Sequence, residues 1–364
     1  MNDMKRTVAF YLLLIIMGTS LSLSAQSVGI DNEADLQTLY QQIDEAISQS
    51  PQYVAKRATQ ITEVRKKLQA ESSLDKQFEL AEQLFALYKP YKNDSALYYA
   101  DLCISLADSL HRKDMKGLYL SLKAHQCSKA GLYVESLNLL KQVDNKVLGP
   151  KELTEYYAAC MHVCGEVGSY TQLPEVRTHY YEQQDCYRDS VLAVAEEGSE
   201  VFLHLKTDVL SARQQYQDAL NISDNWLSKV TDGTHEYAFA AFYRSVIYEK
   251  LSNGLQQRYW LGKSALVDIE CAVNDQASLF MLADLLCKDG DYERAYSYFH
   301  YCMACNTTFS PLLRNYQLRY VDSISSMLYQ NHQARYSQLL TIACIGAILL
   351  LGMIVWLLCR KRKK

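Results

Sequence analysis

The chain has 364 residues, enough for one elongated domain or two compact ones, and its 14 glycines and 5 prolines favour helix, because these two residues are the worst tolerated inside one. Twenty-eight tyrosines suit a thin, layered helical architecture, in which rings are buried and hydroxyls stay wet, better than a thick core. The first 25 residues carry +1 and the last five +5, so a formal net charge of −4 leaves −10 on residues 26–337, an acidic body that argues against nucleic acid or anionic lipid as its ligand.

Residues 1–25 read as a secretory signal peptide. Lys5 and Arg6 precede the apolar run "TVAFYLLLIIMG", which is too short to span a bilayer, and "LSLSAQ" offers a cleavage site after Ala25. Residues 26–90 form an N-terminal helical cap. Leu36, Leu39, Ile43 and Ile47 recur at helical spacing, Pro51 restarts the chain as a second helix to about Ala70, and a third covers Leu74 to Tyr88.

Residues 91–309 carry internal similarity. The clearest unit, "ASLFMLADLLCKDGDYERAYSYFHYCM" (277–303), resembles a tetratricopeptide repeat. Ala283 and Ala295 are the small residues that let two helices approach. Gly290 ends the first helix in a left-handed conformation. Tyr292 and Phe299 fill the wedge between neighbouring hairpins. Weaker copies place Ala124, Gly131, Tyr133 and Leu140 in the same pattern, then Gly168 and Tyr170, then Tyr216 and Ala219, the last with Gln214 where glycine is expected. Such degeneracy is tolerated in a solenoid, where each hairpin touches only its neighbours. The fold class expected is all-α, a tetratricopeptide-like helical-hairpin solenoid plus one C-terminal transmembrane helix.

Ser310 and Pro311 open a juxtamembrane helix (310–337), and 338–359 is the transmembrane helix. The 21 uncharged residues from Leu339 to Cys359 span about 31 Å, the thickness of a hydrocarbon core. Arg360, Lys361, Arg362, Lys363 and Lys364 form a basic tail that stays in the cytoplasm, so the topology expected is single-pass in the inner membrane with the N-terminal domain periplasmic.

Nothing in the sequence has catalytic spacing. "HEYAF" (235–239) begins like a zinc-protease helix but has Phe239 where the second histidine belongs, and there is no phosphate loop, nucleophile elbow or EF-hand. The nine cysteines of residues 26–337 are an odd number without regular spacing. Cys160 with Cys164, and Cys302 with Cys305, share helical faces as buried packing residues rather than as metal ligands. Four Asp-Ser-aliphatic triplets, at 94, 108, 189 and 322, are similar to an O-glycosylation acceptor pattern of some Gram-negative bacteria. Helix capping or chance in a chain rich in Ser and Asp is the favoured account of each, and the one at Asp94 is expected to be the most exposed. No enzyme, cofactor or metal site is expected, and the working surface is the concave face of the solenoid.

The stretches "LYQQIDEAISQSPQYVAKRATQITEVRKKL", "AEQLFALYKPYKNDSALYYADLCISLA", "RYWLGKSALVDIECAVNDQASLFMLADLLCKDGDYERAYSYF" and "NYQLRYVDSI" resemble a Gram-negative, Bacteroides-type family of tetratricopeptide transmembrane regulators, known chiefly as a domain of unknown function. The resemblance covers residues 36–359. It implies a signal peptide, a periplasmic repeat sensor, one membrane helix, and a cytoplasmic coiled coil with a DNA-binding domain. The sequence stops at Lys364, where that cytoplasmic half begins in the family, so the expectation is a sensor half without its output domain. Such a module binds a protein or peptide partner in the periplasm, as a homodimer or a heterodimer with full-length relatives. The alternatives are a periplasmic scaffold or adaptor unrelated to transcription, or an enzyme with an unrecognised site.

Overall fold

The computed structural model describes residues 32–309 and 312–362, and among them there are fourteen α-helices and no strand. The long first helix is α1 (Glu33–Ala70). Six hairpins follow: α2 (Leu74–Tyr88) with α3 (Asn93–Ser109), α4 (Lys113–Lys129) with α5 (Tyr133–Lys141), α6 (Pro150–Tyr170) with α7 (Pro174–Val194), α8 (Glu200–Ala212) with α9 (Tyr216–Lys229), α10 (His235–Lys250) with α11 (Gly254–Glu270), and α12 (Ala277–Asp289) with α13 (Tyr292–Phe309). The last helix, α14 (Leu312–Arg362), runs 51 residues. This is the expected all-α, tetratricopeptide-like arrangement. Residues 1–25, read above as a signal peptide, and Ser310, Pro311, Lys363 and Lys364 lie outside the described residues.

One backbone device recurs at six turns. His111, Gly131, Gln214, Ser252, Ala272 and Gly290 each take a positive φ, between 51° and 89°. At each, that residue's N–H donates to the carbonyl three before it, and the next N–H donates to the carbonyl five before its own position, as Gly290 to Cys287 and Asp291 to Leu286. This is the Schellman closure, which satisfies carbonyls that a helix end leaves open. Glycine occupies only two of the six positions. The other four residues accept the left-handed conformation at a cost of about 1–2 kcal/mol each. Gln214 therefore makes the turn that the sequence pattern assigned to glycine.

Apolar burial is divided among several small cores, as stacking of hairpins requires. One unites the N-terminal half of α1 (Leu36, Leu39, Tyr40, Ile43, Ala46) with α11, α12 and α13. A second unites Ile61 of the same helix with α2, α3 and α4. The two cores share no residue, and α1 is the helix common to both.

Here the structure corrects the sequence reading. Residues 33–70 are one continuous helix with Pro51 inside it, not two helices, and they do not merely cap the N-terminal end. Proline removes a single N–H, and an exposed position between two packed halves tolerates the loss more readily than a buried one. At about 57 Å, α1 is long enough to reach from the first hairpin to the last. Its approach to α11 is close: a Cβ at Gly262 would lie 2.8 Å from Leu39 Cδ2. Arg57 fastens the middle, donating from Nη2 to the Cys271 carbonyl at 2.6 Å and from Nη1 to the Leu87 carbonyl at 3.5 Å.

At the other end, α14 begins along α13. Tyr296 stacks on Tyr329 (4.9 Å between centroids, planes 5° apart), and Tyr292 meets His332 at 5.7 Å. The helix then continues without interruption. Its stretch Ser326–Trp356 is long and apolar enough to cross a membrane, and the rest of the protein covers none of its apolar window.

Two stability measurements check this account. Gly290→Ala forces an alanine to a φ of 89° and lowers stability by about 1 kcal/mol, whereas Gln214→Gly or Ser252→Gly, at exposed positions, raises it by up to about 1 kcal/mol in denaturant titration. Arg57→Met removes charge-assisted bonds to two carbonyls and costs about 1.5–3 kcal/mol, with faster amide exchange at 87–92 and 271–275.

Candidate functional site

Because α1 ties the ends of the chain together, the turn between α2 and α3 meets the turn between α11 and α12. Asn274 captures that first turn from two sides: its N–H donates to the Pro90 carbonyl at 2.9 Å and its Nδ2 to the Tyr91 carbonyl at 2.7 Å. Lys129, at the end of α4, pairs with Asp275 at 3.4 Å. Behind the turn, two fully buried amides lock together. Gln126 Nε2 donates to Asn93 Oδ1 at 3.0 Å and to the Lys89 carbonyl at 3.2 Å, and Asn93 Nδ2 donates to the Gln126 carbonyl.

Titratable groups converge on this junction from five helices and one turn. His235, the first residue of α10, hydrogen-bonds through Nδ1 to Asp268 Oδ1 of α11 at 2.7 Å. Burial disfavours the imidazolium, but the bond to Asp268 and its charge outweigh that, and the His235 pKa is raised. Burial also raises Asp268, with His235 opposing. Glu200 at the start of α8 is raised by burial and by the charge of Glu236, against the pull of Lys89, His235 and His204. His125 on α4 is held well below the ordinary value by burial and by the charges of His162, Lys129 and Lys89. Its ring centroid lies 4.0 Å from that of His162, whose Nδ1 is 2.9 Å from Ser128 Oγ.

Beside these, His204 closes on an aromatic group: its ring lies 3.8 Å from Tyr243, with Trp226 and Phe239 completing the set. Deeper still, Arg244 is 1 % exposed, paired with Asp224 at 2.6 Å and lying over Trp260 at 4.9 Å. The junction thus brings mutually paired groups of both signs, most of them buried, next to a buried aromatic cluster. Among the described residues, no group of three His, Cys, Asp or Glu is arranged to hold a metal ion.

The residues singled out in the sequence lie elsewhere and do not meet in one site. Ala283 and Ala295 are fully buried, and Phe299 packs edge-on to Phe280 at 5.3 Å in the core shared with α1. Gly290 is a Schellman glycine, and Tyr292 faces α14. Ala124 is fully buried, Gly131 has φ 81°, and Tyr133 stacks on Tyr170. Arg360, Lys361 and Arg362 continue the backbone of α14. Cys160, Cys164, Cys302 and Cys305 are buried free thiols, and burial pushes Cys164 and Cys305 up to about 11. Ser95 and Ser190 are half-buried whereas Ser109 is exposed, so the triplet at 108, not the one at 94, is the more exposed; the side chains of the one at 322 lie outside the described residues.

What the sequence reading missed are His235, Asp268, Asn274, Asn93 and Gln126. His235 appeared only as the start of a failed zinc motif. Its partner is 33 residues away, and Asn274 reaches a carbonyl 183 residues away. No periodicity marks such pairs.

A pH titration reads the His235–Asp268 contact. A histidine with a raised folded pKa adds stability that is complete below its unfolded value, about 6.5, and is lost as pH rises through the folded one. The thermal midpoint of the wild type should therefore fall as pH rises above about 6.5, relative to His235→Asn, in which the slope is flattened. His125 acts with the opposite sign and only below about 6.5, so it does not mask the effect.

The family model described as the SusR N-terminal TPR domain matches residues 47–320. A comparison with curated proteins finds no match. The matched span takes in all six hairpins, the junction between the first and the last, and the start of α14, and the chain belongs to the SusR N-terminal TPR domain family.

Proposed function

We propose that this chain is the membrane-anchored receptor part of a transmembrane regulator, with its repeats in the periplasm holding a protein or peptide partner. Helical repeats of this class generally serve protein–protein interaction, and a partner seated beside the junction would bear on the elements it locks together. The observation that carries the reading is the continuity between α1, α13 and α14. Arg294 of α13 pairs with Asp44 of α1 at 3.3 Å and lies over the Tyr40 ring at 5.2 Å, and Tyr298 donates to the Tyr40 carbonyl. The same helix α13 stacks on α14. A partner that shifts α1 at the junction changes what α13 packs against, and α13 bears on the helix that enters the bilayer.

In this reading the basic residues 360–364 lie in the cytoplasm and hold the helix end against anionic headgroups. The partner is a soluble periplasmic protein or the equivalent module of a longer relative. Crosslinking in intact membranes followed by capture identifies which.

Alkaline phosphatase fused after residue 337 should be active, and fused after Lys364 inactive. Lys129→Glu should lower partner capture at least several-fold, and Lys129→Glu combined with Asp275→Lys should restore it by re-forming the pair in reverse. Labelling that finds residues 32–309 in the cytosol, or capture indifferent to both variants, overturns the reading.

A further inference from the structure

Away from the junction, the C-terminal half of α1 overhangs the α2–α3 turn and leaves a cleft of about 460 Å³. Its floor is rigid. Tyr88 and Tyr99, 9 % and 7 % exposed, stack at 5.4 Å with planes 10° apart. At its mouth Tyr98 stands edge-on to Tyr99 at 5.0 Å and is 64 % exposed, an uncovered aromatic ring outside the membrane segment.

Charge in the cleft runs against the rest of the acidic body. Arg65 and Lys92 line it against a single carboxylate, Asp94. None of the three forms an ion pair among the described residues, whereas Arg244, Arg258 and Arg294 are each matched with aspartate. Arg65 lies beside Tyr99 in the lining, close enough for its charge to lower the Tyr99 pKa against the larger raising effect of burial, and its planar fork can hold an anion bidentately. The volume falls within the range of small-molecule pockets, about 300–1,000 Å³.

We propose that this cleft binds a small organic anion carrying a planar ring. The anionic group is held between Arg65 and Lys92, and the ring lies against Tyr98. Recognition of this kind is independent of the partner-binding reading above, because it uses a different surface and a ligand of a different class.

The test uses the full chain in phosphatidylcholine nanodiscs, which add no net anionic lipid, with phenyl phosphate as probe and saturation-transfer NMR as readout. Binding is expected at a Kd on the order of 1 mM, as an eleven-heavy-atom ligand allows. It should weaken about tenfold in Arg65→Gln and in Lys92→Gln, each of which removes one charge-assisted contact. Tyr98→Ala should weaken it several-fold, and Lys66→Gln, one residue along α1, should leave it unchanged. All four positions are exposed, so the variants fold, and circular dichroism verifies this. Inorganic phosphate should displace the probe. No saturation transfer at about ten times that concentration, an equal response in Arg65→Gln, or phenol binding as well as phenyl phosphate overturns the assignment.

Discussion

The architecture depends on α1 being one helix. Its two halves belong to different hydrophobic cores, one built with the first hairpins and one with the last. A helix is a stiff rod because every interior peptide is hydrogen-bonded along the axis, so the separation of those cores is fixed by residue count. In an open stack each hairpin contacts only its neighbours, and small errors in stacking would accumulate over six. The rod removes that freedom, and Arg57 and Asn274 fasten the two ends where they meet.

This closure explains why the polar residues lie where they do. In an open solenoid the α2–α3 turn would face water and need no partner. Here it is covered, and its carbonyls must be satisfied from the other end of the chain. Asn274 does this for Pro90 with its backbone N–H and for Tyr91 with its amide, while Gln126 of α4 serves the Lys89 carbonyl and bonds Asn93 behind it. The histidines and carboxylates nearby are then partly desolvated, and their proton affinities move in opposite directions within one neighbourhood.

Much of the fold was legible in the sequence because it is periodic. Ala283, Ala295 and Phe299 mark where helices touch, and Gly290 marks a turn by its chemistry alone. Gln214 was legible only as a departure; the φ that it shares with His111, Ser252 and Ala272 shows the turn surviving without glycine. Pro51 was misread because proline usually opens a helix, and only packing on both sides of it keeps this one continuous. The junction was illegible for a different reason. His235 with Asp268, and Asn274 with Tyr91, are matched through space across 33 and 183 residues, and such pairs leave no local pattern.

The unbroken course of α14 has a geometric consequence. A helix turns by about 100° per residue, so residues spaced 3.6 apart share one azimuth along its whole length. The face gripped by α13 at Tyr329 thus sets the heading of the side chains beyond it, as far as Trp356. Whatever rolls the repeat body about this axis arrives at the far end as the same roll, undiminished by any hinge in between.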